Sequence, residues 1–321
     1  MNKYICIDIG GTSIKYGIAD ANGKLLYSNQ TPTIAKEGGP GIVRRVKSLI
    51  DDQLKTEQCG GIALSTAGMV DPNKGIITYS GPQIPNYKGT QWKRIIQDVY
   101  ALPCSVENDV NCAGLAESIS GAGKGYDPCL CLTIGTGIGG CLLLNKQIFH
   151  GATHSAMEIG YMKMRGKTFQ ELASASALLR CIAKQKENPE MINGKVIFEL
   201  ARDGDSICIN EIDHMVDCLA EGIANICYVI NPQAVILGGG IMAEDTYFSP
   251  RLSAALKKYL LPELYENLHI AFAKHKNHAG MLGAFYHFQN ENRHLFKQMN
   301  EKNGGGWCHA GTLYQNHHSN D

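Results

Sequence analysis

The chain has 321 residues, long enough for two domains and a sizeable hydrophobic core. Charged residues make up 19% of it, 30 basic against 30 acidic, so the net charge gives no indication of binding to nucleic acid or to an anionic membrane. No apolar run reaches the roughly 20 residues that span a bilayer, and the N-terminus lacks a signal-peptide pattern. The 12 cysteines show no zinc-binding spacing, which predicts reduced, buried thiols in a soluble, cytoplasmic protein.

The patterns of apolar residues, taken in chain order, predict an α/β protein. A long, proline-stiffened segment at 81–89 shows neither helical nor strand periodicity, and such loops more often face a ligand than fill space. The predicted elements are strands at 3–9, 14–19 and 24–29, a helix at 41–54, strands at 61–65 and 104–107, helices at 110–118, 168–184, 194–202 and 206–230, a strand at 233–237, a helix at 250–260, a strand at 268–273 and a helix at 279–290.

Two glycine-rich turns, about one domain length apart, each join two predicted strands. The first is Gly10-Gly11-Thr12, and the second lies within residues 133–140, which read Thr-Ile-Gly-Thr-Gly-Ile-Gly-Gly. Because glycine has no Cβ, backbone N–H groups in such turns can close on an anion, usually phosphate. The alternative is a pair of ordinary β-turns. The spacing fits neither a Gly-x-Gly-x-x-Gly helix start nor a Walker loop, and the pair favours two related lobes that hold one polyphosphate.

A polar pair follows the predicted strand 104–107, at the point where a helix begins. Asn108 and Asp109 therefore lie where α/β sheets place their ligands. A carboxylate at this point can be a helix N-cap, which is common. Asn108 can cap equally well, which leaves Asp109 available as a catalytic group. A third glycine cluster, Gly238-Gly239-Gly240, follows strand 233–237 and suits a nucleobase or ribose lying on the backbone.

Together these motifs resemble the ROK family (repressor, open reading frame, kinase) of the actin-like ATPase and sugar-kinase superfamily. The resemblance is collinear from about residue 3 to about 288. It implies a two-lobed actin-like (ribonuclease H-like) α/β fold, in which each lobe has a mixed sheet with flanking helices and the active site lies in the interlobe cleft. The small lobe would comprise 1–118 and 285–296, the large lobe 119–284, and 297–321 would be a flexible tail. The motifs that carry the resemblance are residues 8–12, 107–111, 133–140, 237–240 and 277–284.

The resemblance also implies a role for each motif, with ATP and Mg²⁺ as cofactors. Asp109 would be the general base that takes the proton from a sugar hydroxyl, normally the 6-OH, and Asp8 would face Mg²⁺ through water. Contacts with ATP are implied for Gly10, Gly11, Thr12, Lys15, Gly135, Thr136, Gly137, Gly239 and Gly240. Contacts with the sugar are implied for Gly68, Asn86, Asn108, Asp109, Gly139, Glu158, Tyr161 and Glu171.

The chain departs from the family pattern at its zinc site. Typical members have a histidine after Glu-Ile-Gly and then a cysteine cluster, whereas this chain has Tyr161 and no cysteine from Met162 to Ser176. We therefore expect no zinc site. Tyr161 can donate its phenolic OH to a sugar oxygen, or it can be a half-buried packing residue.

The resemblance to zinc-less members sets the order of the predicted substrates. N-acetylmannosamine comes first, and glucose or a β-glucoside next. A sugar-responsive repressor would need a helix-turn-helix ahead of the first hairpin, and only three residues precede Tyr4. A catalytically inactive sugar-binding module is disfavoured because Asp8, Asp109 and both hairpins are present. The expected enzyme is a homodimer that binds only small molecules.

Overall fold

The computed structural model describes residues 2–187, 190 and 192–296. The predicted flexible tail, 297–321, lies outside the described residues. The strands are β1 Lys3–Ile9, β2 Ser13–Asp20, β3 Leu25–Pro32, β4 Cys59–Thr66, β5 Met69–Asp71, β6 Ile76–Tyr79, β7 Cys104–Asn108, β8 Cys129–Ile134, β9 Ile138–Leu144, β10 Gln147–Ile148, β11 Lys163–Met164, β12 Lys167–Thr168, β13 Ala234–Gly238 and β14 His269–Phe272. The α-helices are α1 Gly38–Thr56, α2 Trp92–Tyr100, α3 Asp109–Ser120, α4 Phe169–Ala173, α5 Ala175–Ala183, α6 Gly194–Arg202, α7 Ser206–Ile230, α8 Asp245–Tyr259, α9 Pro262–Glu266 and α10 Ala279–Glu291.

Two mixed sheets of the same topology organise the described chain. The first has the strand order β3-β2-β1-β4-β7, and the second has the order β10-β9-β8-β13-β14. In each, the first three strands form an antiparallel meander, and the remaining strands add in parallel beside the first strand of that meander. Parallel strands end at the same edge of a sheet, so each sheet collects its glycine turn and later loops along one edge. The two predicted glycine hairpins are thus equivalent positions in two related sheets.

Most predicted elements are confirmed, and the differences have local causes. Helices 194–202 and 206–230 have the predicted bounds. The predicted helix 168–184 is two helices, because Ser174 interrupts it and its side chain accepts a hydrogen bond from the backbone of Ala177. The helix predicted at 250–260 begins at Asp245 and contains Pro250 in its second turn. The sequence did not predict α2 or the small β5–β6 hairpin.

The last described helix, α10, packs against the first sheet, which begins at the N-terminus. It packs on β1, β4 and β7 of the first sheet and most extensively on α3. Gly283 makes the close crossing possible, since a Cβ there would lie 1.7 Å from the carbonyl oxygen of Cys112. The helix runs unbroken across the boundary predicted at 284/285, and the exact division into lobes stays a prediction.

One hydrophobic cluster links the two sheets through α3 and α10. It contains Tyr4 and Cys6 from the first sheet, Cys131 from the second, and Phe285 from α10. Among the described residues the cysteines are free, and all except Cys181 are buried, as predicted for their burial. In the described part of the chain, no helix combines the length and apolar character needed to cross a membrane.

Candidate active site

A cavity of about 240 Å³ lies where the two sheets face each other. The first sheet contributes the ends of β4 and β7 with the β5–β6 hairpin, and the second contributes β9 and the loop at 154–161. Most of the lining residues are small or polar. The lining residues are Gly68, Met69, Tyr79, Gly81, Gln83, Asn108, Asp109, Val110, Asn111, Gly139, Gly140, His154, Ala156, Met157, Glu158 and Tyr161.

Asn108, the N-cap of α3, allows Asp109 to serve another purpose. The Asn108 side-chain oxygen accepts hydrogen bonds from the backbone N–H groups of Val110 and Asn111, at 2.9 and 3.0 Å. Its amide donates to the Gly68 carbonyl at 2.9 Å and to Asp109 Oδ1 at 3.0 Å. The Asn108 side chain thus uses its donors and its acceptor to cap α3, to hold the loop at Gly68 and to orient the Asp109 carboxylate. This is the arrangement that the sequence predicted for the pair.

Asp109 has the electrostatic properties of a general base that works near neutral pH. Protein atoms surround its carboxylate, which retains only partial access to the cavity. Burial and the nearby carboxylate of Asp8 raise the pKa of Asp109 to about 7, against the opposing hydrogen bond from the Val110 N–H. Glu158, across the cavity, raises it further and has a raised pKa itself because of burial. A base with a pKa near the working pH is best placed for proton transfer.

Asp8, at the end of β1, lies beside this site. Ser65 Oγ donates to Asp8 Oδ1 at 2.6 Å, and Lys15 Nζ lies 3.5 Å from Oδ2. Gly280 backs the carboxylate, since a Cβ there would lie 2.4 Å from Asp8 Cγ. Mg²⁺ is commonly bound through one or two carboxylates together with substrate phosphates and waters. The mutual repulsion of Asp8 and Asp109 fits a bound cation, and Asp8 is the residue that would hold it.

The two predicted phosphate turns are tight and have open space at their tips. In the first, the Gly10 N–H donates to the Ser13 carbonyl at 3.0 Å. In the second, the Gly135 N–H donates to the Gly137 carbonyl at 2.9 Å. A Cβ at Gly11 or at Gly135 would meet no heavy atom within 4 Å, so both turns leave room for a ligand. The adjacent threonines, Thr12 and Thr136, are exposed.

The third glycine cluster lies against the second of these turns. Gly239 has a φ of 103°, and a Cβ there would lie 2.2 Å from the carbonyl oxygen of Ile134. Only glycine permits this close approach of β13 to the end of β8. Gly239 and Gly240 are thereby held beside the Gly135–Gly137 turn, as an adenosine site next to a phosphate site requires.

Two predicted sugar contacts lie elsewhere. Glu171 is exposed, and its Oε2 accepts hydrogen bonds from the Thr168 N–H at 2.7 Å and from Thr168 Oγ1 at 2.6 Å, which forms a capping box at the start of α4. Asn86 has a φ of 53° and lines a separate cavity beside α1 and α2. Neither residue lines the cavity that contains Asp109. Gly68, Asn108, Gly139, Glu158 and Tyr161 do line it.

The sequence analysis did not identify a buried cluster behind Asp109. Glu107, fully buried, accepts hydrogen bonds from the Asn108 N–H at 2.7 Å and from Asn111 Nδ2 at 3.0 Å. Its other oxygen lies 2.6 Å from His150 Nε2 and 3.9 Å from His287 Nδ1. Because His150 and His287 are distant from Glu107 in sequence, no local pattern could have shown their contact. The cluster fixes the strand end that carries Asn108 and Asp109.

Comparisons with known proteins agree with this geometry. A β-glucoside kinase from Listeria monocytogenes is 34% identical over 91% of this chain and 99% of that protein. A structure described as a putative N-acetylmannosamine kinase, also from L. monocytogenes, is 32% identical with a TM-score of 0.81, covering 90% of this chain and 99% of that one. The ROK glucokinase of Streptomyces griseus, in complex with glucose and AMPPNP, is 25% identical with a TM-score of 0.79, over 89% and 98% of the two chains.

The fold and the site therefore define an ATP-dependent sugar kinase with the two-lobed actin-like architecture, as predicted. The model of the ROK family matches residues 4–291. The chain belongs to the ROK family.

Proposed function

We propose that this kinase transfers the γ-phosphoryl group of ATP to the 6-hydroxyl of a hexose unit, with Asp109 as the general base. The raised pKa of Asp109, beside Glu158 in a cavity of about 240 Å³, is the observation that carries this proposal. The carboxylate accepts the hydroxyl proton as the sugar oxygen attacks phosphorus. Asn108 holds that carboxylate in place through the hydrogen bond from its amide.

The remaining residues of the site bind and orient the reactants. Glu158 would accept a hydrogen bond from a second sugar hydroxyl, and a sugar without that hydroxyl would leave the buried carboxylate unpaired. The turns at Gly10–Thr12 and Gly135–Gly137 would donate backbone N–H groups to the phosphates, with Lys15 beside them. A Mg²⁺ ion held near Asp8 would neutralise charge that develops on the phosphates.

We infer that a β-glucoside is the preferred acceptor. The sequence alone ranked N-acetylmannosamine first, but the relative named β-glucoside kinase matches nearly the whole chain. N-acetylmannosamine remains the second candidate, because the structure that resembles this chain at a TM-score of 0.81 is described as a putative kinase of that sugar. The two candidates differ at C1 and C2 of the sugar, so one assay can distinguish them.

A coupled ATPase assay over a panel of sugars tests both parts of the proposal. Glucose, cellobiose, phenyl β-glucoside and N-acetylmannosamine are compared at equal ATP, and the position of the phosphate is read by NMR. We expect the highest kcat/KM for a β-glucoside and phosphorylation at O6. A preference for N-acetylmannosamine would select the second candidate. Absence of turnover with every sugar would refute the function itself.

A further inference from the structure

The exposed residues of the catalytic cavity form a distinct group at its mouth. Of the lining residues, only Tyr79, Gln83 and Tyr161 are exposed. Tyr79 is 44% exposed and ends β6, and Tyr161 is 52% exposed and ends a short 3₁₀ turn, Ile159–Tyr161. Tyr79 comes from the β5–β6 hairpin, which lies in the chain between β4 and β7 of the first sheet, and Tyr161 comes from the second half of the chain. Both tyrosines thus line the cavity where it meets solvent.

The two phenols are neighbours at the cavity. Burial and the nearby phenol of Tyr79 raise the pKa of Tyr161. Tyr161, for which the family resemblance implies a contact with the sugar, is exposed and lines the cavity, and that contact stays a prediction. Gln83 adds an amide beside the rings, and its side chain occupies the space over Gly81, where a Cβ would lie 2.4 Å from Gln83 Oε1.

The size of the cavity indicates what lies at this mouth. Pockets for drug-sized ligands measure about 300–1,000 Å³, and this cavity of about 240 Å³ suits one hexose ring. A second ring attached to that hexose would lie outside the cavity, against the mouth. Aromatic side chains with polar tips suit such a ligand, because the ring face packs on C–H groups while the hydroxyl remains available for hydrogen bonds. Exposed aromatic residues grouped at the rim of a site commonly mark binding surface.

We propose that Tyr79, Gln83 and Tyr161 form a second subsite that binds the aglycone of a β-glucoside, either a second sugar ring or an aryl group linked to C1. This subsite rests on the proposed function, since it requires a hexose unit in the cavity with its 6-hydroxyl at Asp109. The tyrosine rings pack against the aglycone, and the Gln83 amide bonds to its hydroxyls when it is a sugar. The subsite discriminates glycosides from free glucose without touching the reacting atoms.

The test measures a ratio, kcat/KM for cellobiose divided by kcat/KM for glucose, in matched variants. Tyr79→Ala should lower this ratio about five- to twentyfold, since an aromatic packing contact is lost only for the substrate with a second ring. Tyr79→Phe keeps the ring and should keep the ratio within about threefold of the wild type. Tyr27→Ala is the control, because Tyr27 is 40% exposed on β3 and does not line the cavity; its ratio should equal that of the wild type.

The other possible results also support or refute the subsite. If Tyr79→Ala lowers kcat/KM for both substrates equally, Tyr79 supports the fold and the subsite is refuted. If the wild type phosphorylates glucose but neither cellobiose nor phenyl β-glucoside, the subsite is refuted while the kinase function stands. If turnover of cellobiose is slow, calorimetric titration of the Asp109→Asn variant with cellobiose measures binding directly. Cellobiose that binds, and binds more weakly after a further Tyr79→Ala change, supports the subsite even if turnover is slow; equal binding in both variants refutes it.

Discussion

Two carboxylates two residues apart, Glu107 and Asp109, have pKa values shifted in opposite directions. Burial acts on both and would raise the pKa of each. At Glu107 the hydrogen bond with His150 and the charges of His287 and His150 outweigh burial, and the pKa is lowered. At Asp109 the neighbouring charge is another carboxylate, that of Asp8, and the pKa rises to about 7.

The difference shows that the neighbours of a carboxylate decide its role. Glu107 has hydrogen-bond donors on both oxygens and is fixed as an anion that organises the strand end. Asp109 accepts hydrogen bonds from the Asn108 amide and from the Val110 N–H, both at Oδ1. Its Oδ2 is therefore the oxygen that can accept a proton. His150 favours its charged form in the same way as Glu107, because their hydrogen bond raises the pKa of His150 although burial lowers it. A carboxylate with a lowered pKa and one with a raised pKa can therefore occupy one strand end.

The largest expected effect comes from removing the base. Asp109→Asn should lower kcat by at least about 100-fold, because the proton acceptor is lost while positioning remains. Steady-state kinetics with the preferred sugar measure this loss, and calorimetry should show that sugar binding persists. Asp52→Asn, an exposed change on α1, is the matched control and should have the wild-type rate. A rate near that of the wild type in the Asp109 variant would make Asp109 a helix cap.

The pH dependence of kcat/KM should report the same group. With a pKa of about 7, the ionised fraction of Asp109 falls close to tenfold for each pH unit below that value. We expect kcat/KM for the sugar at pH 6 to be roughly tenfold lower than at pH 8. Circular dichroism across this range should show a folded protein. A flat profile between pH 6 and pH 8 would contradict the raised pKa.

The two carboxylates should also affect stability with opposite signs. The lowered pKa of Glu107 stabilises the fold above the unfolded value of about 4.5, and this contribution is lost as the pH falls through the folded pKa. The raised pKa of Asp109 costs stability as the pH increases from about 4 to about 7. At pH 8, Glu107→Gln should therefore destabilise by about 2 kcal/mol. Asp109→Asn should stabilise by about 1 kcal/mol, a value reduced because the cavity admits water to this carboxylate.

Denaturant unfolding at pH 4.5, 6 and 8 measures both effects. The gain from Asp109→Asn should shrink toward pH 4.5, and the loss from Glu107→Gln should shrink on further acidification. His150→Gln removes the partner of Glu107 and should destabilise in the same direction as Glu107→Gln. Stability changes of the same sign for Glu107→Gln and Asp109→Asn at pH 8 would refute the comparison.

The smallest expected effect concerns zinc. Within the described residues, no group of three or more histidine, cysteine, aspartate or glutamate side chains is arranged to hold a metal ion. Metal analysis of the purified protein should find less than stoichiometric zinc, and activity lost to a chelator should return with Mg²⁺ alone. Absence of zinc would mean that protein groups alone cause the opposite pKa shifts of Glu107 and Asp109. One tightly bound zinc per chain would show that the interpretation of residues 161–176 is wrong.

Much of the fold was predictable because its determinants are local. Alternating apolar residues, glycine turns and the Asn108 cap each lie within a few positions, and the structure places them as expected. The contact of Glu107 with His150 and His287 joins three distant segments, and no sequence period reports such a contact. The family resemblance implies a sugar contact for Glu171, and the local pattern Thr168-x-x-Glu171 is also a capping-box signature. The structure shows the capping box, and the contact with the sugar stays a prediction.

The packing of α10 also has a consequence for how the protein is made. The first sheet begins at Lys3, but the helix that covers it, with Phe285 and Phe288 against Tyr4, begins only at Ala279. At a synthesis rate of about 5–20 residues per second, the ribosome needs roughly 15–60 s to reach that helix. During this time the apolar face of the nascent sheet has no permanent cover. The growing chain therefore leaves this apolar surface exposed until α10 emerges.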